Sequence, residues 1–261
     1  VNYILRAKIF RGTQIPSFID DKRVKVKIGF GPIALESTVQ NNNNGCIDFE
    51  NEDLQLEAQY PFPADLSQLP DLFIYIVKVG NVEPVCFRRL KVVREETNGN
   101  GPPELRLIGF DTSPSWVAME REPFYTLFSK DTYPGSLLVQ IGLGTAEQAA
   151  GIESKDPRKW SSAAVAEKAR LTKQTLRVHV YQARGVSSAD ASGSSDPSSK
   201  VLFAGKEERT AKKEKTRNPS FFQTLECSSQ LPSDHALFPE VIVQTWDYDW
   251  GPDPDDYCGG V

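Results

Sequence analysis

The 261-residue chain has no stretch approaching ~18 consecutive apolar residues, so no membrane-spanning helix is predicted. Histidine is almost missing. His179 and His235 are far apart, and neither lies near a Ser, Cys or Glu arrangement that would make a nucleophile or general base. No catalytic constellation is visible, and an enzyme is not expected. Cysteine is scarce and scattered: Cys46, Cys86, Cys227 and Cys258 form no Cys-x-x-Cys pair and are too sparse for a disulfide scaffold. The expectation is a reducing cytosol, with the thiols acting as small buried hydrophobes. Excess positive charge is absent too. A formal net charge of −5 argues against nucleic acid as a partner. The chain opens on Val1-Asn2-Tyr3 with neither an initiator Met nor a charged-then-apolar leader. It is therefore expected to be a fragment, outside which a targeting or anchoring segment could lie.

What is present is ordinary globular material, 39% hydrophobic and 25% charged, in a length that suits two domains of roughly 100–150 residues. Residues 1–146 read as mostly β. Tyr3–Phe10 and Val24–Ile28 alternate in part, Leu72–Val77 is a continuous apolar run suited to a strand buried on both faces, and Val85–Val93 and Ser136–Ile141 follow. Turn-formers separate them, among them Asn41–Gly45, Asn98–Pro103 and Pro134-Gly135. Residues 147–171 change character. Ser161–Arg170 is rich in helix formers with little apolar surface, which predicts a linker carrying a short, exposed helix. Residues 172–261 return to strands at Thr175–Tyr181, Lys200–Phe203, Phe221–Leu225 and Val241–Trp246. The opening strings of the two β regions share their alternation and a closing Arg-Gly, at Arg11-Gly12 and Arg184-Gly185. That implies tandem domains of one plan. The predicted class is all-β, two antiparallel sandwiches.

Two acidic segments of the second region follow strands directly. One runs from Ala189 to Pro197 and holds Asp190 and Asp196. The other runs from Trp246 to Gly259 and holds Asp247, Asp249, Asp253, Asp255 and Asp256. Seven carboxylates in two loops repel unless the loops stay apart, some groups take protons, or a hard cation neutralises them. Calcium accepts 6–8 oxygens at about 2.3–2.6 Å and tolerates loose geometry, whereas magnesium demands a stricter octahedron. Asp247 and Asp249 lie two apart on extended chain, so their side chains share a face and can clamp one ion, with Trp246 and Tyr248 pointing the other way. An EF-hand is excluded: counted from Asp247, the required Gly and Glu positions hold Pro252 and Cys258.

The string at 176–185 (LRVHVYQARG), Ser195-Asp196-Pro197 followed by Lys200-Val201, the run 215–222 (KTRNPSFF) and Trp246–Asp249 together resemble a C2 domain, in family order and spacing. The resemblance covers residues 172–261. It implies calcium ligands at Asp190, Asp196, Asp247 and Asp249. A fifth is due from the end of the last loop, where Asp255 and Asp256 stay open because the loop is one residue longer than usual. The family also has further strands after this loop, so the second sandwich is expected to be truncated at its C-terminus. The first region resembles a more divergent C2 domain, its ending at Trp116 and 133–141 (YPGSLLVQI) being similar to the closing strand of ferlin C2 domains. Opening each domain on the strand before the first calcium loop resembles the type II strand order of that family. Ligand positions are lost there, since Asp20 and Asp21 alone cannot make a cage, and this domain is expected to bind no calcium.

Residues 166–261 carry 12 Lys and Arg against 14 Asp and Glu, a formal −2 that two calcium ions would turn to about +2. That switch would admit anionic phospholipid headgroups. Trp250, at the tip of the last loop, and Tyr248 are the candidate membrane contacts. In the family, the strand carrying Lys212, Lys213 and Lys215 often lines a phosphoinositide groove. Here three glutamates (Glu207, Glu208 and Glu214) dilute the run, and a solvated face is the plainer reading. The resemblance implies a calcium-dependent, cytoplasmic, peripheral membrane module of a ferlin-like protein of vesicle trafficking, exocytosis or membrane fusion, which could also meet proteins of the fusion machinery. The rival is a calcium-independent protein-interaction scaffold.

Overall fold

A computed structural model describes residues 1–17, 22–49, 56–63, 65, 68–80, 84–92, 107–110, 112–121, 133–153, 170–187, 193–249 and 255–260. The chain divides into two compact units, one of Val1–Arg170 with Ser233–Leu237 and one of Leu171–Pro232 with Phe238–Val261.

The first unit contains β1 (Asn2–Thr13), β2 (Arg23–Phe30), β3 (Ile33–Glu36), β4 (Gln40–Asn41), β5 (Ile47–Asp48), β6 (Leu56–Pro61), β7 (Leu72–Lys78), β8 (Pro84–Leu90), β9 (Ser115–Ala118), β10 (Glu120–Arg121) and β11 (Ser136–Thr145). One sheet runs β5-β1-β11-β9 with β6 also on β1, and the other β10-β8-β7-β2-β3 with β4 on β2. Every strand pair is antiparallel. The first and last long strands lie side by side, from Tyr3 opposite Thr145 to Thr13 opposite Ser136. The chain thus returns to its own start, in keeping with the type II order.

Period-2 alternation sends Val24, Val26, Ile28 and Phe30 of β2 into the core. There they meet Leu72, Ile74 and Ile76 of β7, Leu5 and Ala7 of β1, and Leu137, Val139 and Ile141 of β11. The run at 72–77 predicts burial on both faces, but Phe73 and Tyr75 are only half-buried and stack 5.9 Å apart on the outer side. A run of apolar residues does not by itself distinguish two covered faces from one face plus an aromatic ladder. Before β11, Gly135 (φ +87°) brings the turn so close to β1 that a Cβ would lie 2.7 Å from the Thr13 carbonyl oxygen.

After β11 comes α1 (Ala146–Glu153). Thr145 and Gln148 exchange hydrogen bonds as a capping box, the Thr145 amide donating to Gln148 Oε1 at 2.9 Å and the Gln148 amide to Thr145 Oγ1 at 3.3 Å. Ala149 is buried with Ile4 and Phe110. The helix expected at 161–170 falls almost wholly outside the described residues.

The second unit contains β12 (Leu171–Gln182), β13 (Pro197–Phe203), β14 (Lys206–Arg209), β15 (Ser220–Pro232), β16 (Ile242–Asp247) and β17 (Asp256–Gly260). β12 pairs with β15, and the second sheet runs β14-β13-β16-β17. Val201, Phe203, Leu225, Cys227 and Leu231 form its core, with Leu176, Val178, Val180 and Val243 packed against them. The sequence predicts no strand after the last acidic loop. The structure has one, five residues long and antiparallel to β16. Its sequence, Asp256-Tyr-Cys-Gly-Gly260, carries neither alternation nor β-branched residues, so its pairing comes from β16 and not from local preference. All four cysteines are free thiols: Cys86 and Cys227 are buried, Cys46 and Cys258 half-buried. Burial pushes the Cys86 thiol well above its ordinary range.

Phe30 is fully buried at the centre of the first core. Replacing Phe30 by Ala should lower the stability of this unit by about 3–5 kcal/mol, read from its urea midpoint. A loss below about 1 kcal/mol would contradict the packing described.

Candidate functional site

The acidic residues sit at one end of the β13–β16–β17 sheet because register puts them there. Pro197 lies opposite Asp247, which places Asp196 beside it, and Asp247 lies opposite Asp256 on β17. The Asp196 amide donates to Asp247 Oδ1 at 2.5 Å, and the Tyr248 amide to the Asp196 carbonyl at 3.2 Å. Two loops far apart in sequence are thus tied together through an aspartate.

Asp247 is 1% exposed, and its Oδ2 is buried without a hydrogen-bond partner among the described residues. Buried polar atoms are almost always paired, and an unpaired buried oxygen on a carboxylate is costly. The neighbouring acids are handled differently. Asp196 Oδ1 accepts from the Lys215 amide at 2.8 Å, while Oδ2 is 3.7 Å from the Lys212 ammonium. That ammonium also stands 4.3 Å from the centre of the Tyr248 ring. Asp255 turns to Arg209, 2.6 Å from Nη1. Asp249 is half-buried and Asp256 exposed.

The Cys258 thiol reports the local field. It is pushed above its ordinary range first by burial and then by the negative charge of Asp247, with smaller contributions from Asp256 and Asp249 and a partly offsetting hydrogen bond from the Asp247 backbone. Three of the predicted ligands therefore act on one sulfur, while Asp255 is drawn off by Arg209. Among the described residues, no three acidic, His or Cys side chains form a metal-holding cluster. Asp190 and Trp250 lie outside the described residues, as do Asp20 and Asp21 in the first unit.

A buried carboxylate oxygen of Asp247 without a partner among the described residues, beside other oxygen-bearing acids, is the kind of donor that suits a hard cation such as calcium. Sequence reasoning missed Arg209 and Lys212 as counter-charges. Arg209 meets an acid 46 residues away, and no local pattern signals that. Lys213 is half-buried, its amide donating to the Pro197 carbonyl at 2.9 Å, and Lys215 is exposed with φ +49°. Of the three lysines considered for a phosphoinositide groove, Lys212 therefore faces the acidic loops. Trp246 is half-buried, with the Lys200 ammonium 4.8 Å and the Tyr257 ring 5.4 Å from its ring centre.

Residues 174–261 match the family model of the C2 domain. The matched segment takes in most of the second unit. Over 83 residues, 31% of this chain, the sequence is 37% identical to Fer-1-like protein 4 of Mus musculus. The match spans 4% of that relative's length. Similar solved structures include the paired A and B C2 domains of extended synaptotagmin 2, at TM-score 0.38 and 12% identity over 99% of this chain and 77% of that one. A calcium-bound form of that pair gives a TM-score of 0.36 at 12% identity, over 99% of this chain and 82% of that one. The A-type C2 domain of plant extended synaptotagmin 1 gives 0.38 at 17% identity, over 54% of this chain and 94% of that one.

A buried, half-satisfied carboxylate makes a sign prediction. Asp247→Asn keeps the acceptor for the Asp196 amide and removes the charge. In chelator it should stabilise the second unit by about 1 kcal/mol, read by thermal unfolding. A destabilised variant would contradict an uncompensated charge at this position.

Proposed function

We propose that the second unit binds calcium at the Asp196–Asp247 end of its sheet and, so loaded, docks on membranes rich in anionic phospholipid. The observation that carries this reading is the Oδ2 of Asp247, buried and without a hydrogen-bond partner among the described residues. Asp247 and Asp249 would be the central ligands, with Asp190 and Asp196 from the other loop. Asp256 is favoured over Asp255 as the fifth, because Asp255 is already neutralised by Arg209.

Bound calcium supplies positive charge where the acidic loops now draw it from lysine and arginine. Asp196 would exchange Lys212 for the ion. The freed Lys212, with Lys213 and Lys215, would then face anionic headgroups, phosphoinositides included, each cation near the surface being worth about 1 kcal/mol. Tyr248, exposed and beside Lys212, and Trp250 would rest at the headgroup level, where an aromatic ring with one polar end is most stable.

The unit is thus read as a binding module and not an enzyme. The parent would be a peripheral protein of the cytoplasmic membrane face, ferlin-like, serving vesicle trafficking, exocytosis or fusion. No helix among the described residues is long and apolar enough to cross a membrane. The first unit is assigned no calcium: the described residues 77–80, where the second unit carries its Trp-Asp-Tyr-Asp string, are Val77, Lys78, Val79 and Gly80.

Co-sedimentation with phosphatidylcholine–phosphatidylserine vesicles tests the reading. Binding should rise with calcium and fall on chelation. The Asp247→Asn, Asp249→Asn double variant should need at least about tenfold more calcium while keeping its fold. Equal vesicle binding in calcium and chelator would sink the switch and leave the calcium-independent scaffold as the better account.

A further inference from the structure

The outer face of the β12–β15 pair carries a second feature that the calcium reading does not use. Along most of its length this face is a ladder of satisfied polar cross-strand pairs. Thr175 Oγ1 meets Ser228 Oγ at 2.8 Å, Arg177 Nε meets Glu226 Oε1 at 2.7 Å, and His179 Nδ1 meets Thr224 Oγ1 at 2.8 Å. At the next rung the chemistry changes. Tyr181 and Phe222 stand there 60% and 72% exposed, their rings edge to face with centroids 5.9 Å apart. Phe222 is the most exposed of the large hydrophobic residues described.

The backbone holds the pair in place at a cost. Pairing jumps from Val180–Gln223 to Gln182–Ser220, so Tyr181 faces both Phe221 and Phe222 across a β-bulge. Phe221 is buried, and Phe222 points outward with φ +50°. That left-handed region suits Gly or Asn, and a bulky residue there is an outlier. A phenyl ring is therefore displayed to solvent on a backbone that disfavours it, a pattern associated with function more than with stability.

The aromatic rung is also the one at the acidic-loop end. β12 leads from Tyr181 into the loop that reaches Asp196. That loop is tied to the segment before β15 by the Ala183 amide on the Pro219 carbonyl at 3.0 Å, the Val186 amide on the Arg217 carbonyl at 2.9 Å and the Gly185 amide on Asn218 Oδ1 at 3.0 Å. Among the described residues of these two tied segments, Arg184, Lys215 and Arg217 are exposed, against one exposed acid, Glu214. Protruding rings on a rigid strand platform, flanked by basic residues at the loop end, suit the interface of an anionic bilayer.

We propose that Phe222 and Tyr181 form a membrane-contacting surface of the second unit separate from the calcium loops, with the Phe222 ring entering the acyl boundary of an anionic bilayer and Arg184, Lys215 and Arg217 at the phosphates. The proposal rests on the membrane reading of this unit but not on calcium.

Its test uses the whole chain and phosphatidylcholine–phosphatidylserine vesicles. Phe222→Asn removes the ring and relieves the backbone, so its melting temperature should hold or rise. Its vesicle affinity should fall by about three- to tenfold in calcium and in chelator alike. Tyr181→Thr should show a smaller loss in the same direction, and Phe222→Trp should keep binding, with more indole emission quenched by brominated acyl chains than in the wild type, whose Trp250 is already placed at the headgroups. If Phe222→Asn binds vesicles as the wild type does, the proposal is overturned. The same holds if vesicle binding is unchanged and only self-association, followed by sedimentation, is lost, because the pair would then be a protein contact. A wild type indifferent to calcium whose Phe222→Asn variant is nonetheless weaker would refute the switch and support this surface.

Discussion

One hydrogen bond organises the second unit's acidic end: the Asp196 amide donating to Oδ1 of the buried Asp247. It fixes the first acidic loop against the last strand before the second loop, and it uses only one of the two carboxylate oxygens. The other is left in the interior without a partner among the described residues. Desolvating a carboxylate in this way is costly unless it takes a proton or something of opposite charge completes its surroundings. The remaining features of that end follow. Lys212 leans toward Asp196 and Arg209 takes Asp255, so two of the acids around Asp247 meet cations of the chain, while Asp247 Oδ2 has no partner among the described residues.

The two units are held together differently. In the first, long strands pair first with last over a broad core in which Leu5, Phe30, Ile74 and Ile141 are fully buried. Its interior holds itself together by apolar area. In the second, the inward-facing residues of β12 are only half-buried, and the core is small. More of this unit's chemistry lies at its loop end, in charges and exposed rings. Rim ion pairs of this kind contribute little to stability, typically below about 1 kcal/mol each. They are correspondingly easy to exchange for an ion or a headgroup.

Much of this is legible in the sequence, for physical reasons that vary by element. Alternation announces a strand when one face is buried, so Val24–Ile28 and Thr175–Tyr181 lie within β2 and β12 as expected. The aspartates are visible because charge repulsion makes such density improbable without a purpose. β17 escapes notice because its Gly and Asp residues take strand geometry from a neighbour. The Arg209–Asp255 and Lys212–Asp196 pairs escape it because sheet register, set by distant residues, decides which charges meet. The Phe222 bulge is equally hidden: the string Phe221-Phe222 reads as plain strand, and only the pairing shows that one ring goes in and the other out.

The central claim is that a calcium ion completes the environment of Asp247. Calorimetric titration of calcium into the 1–261 chain tests it most directly, with magnesium and the Asp247→Asn variant as references. The account predicts saturable calcium heat at one or two sites, far weaker response to magnesium, and loss of the heat in the variant. Equal heats for wild type and variant, or none for either at millimolar calcium, would contradict it.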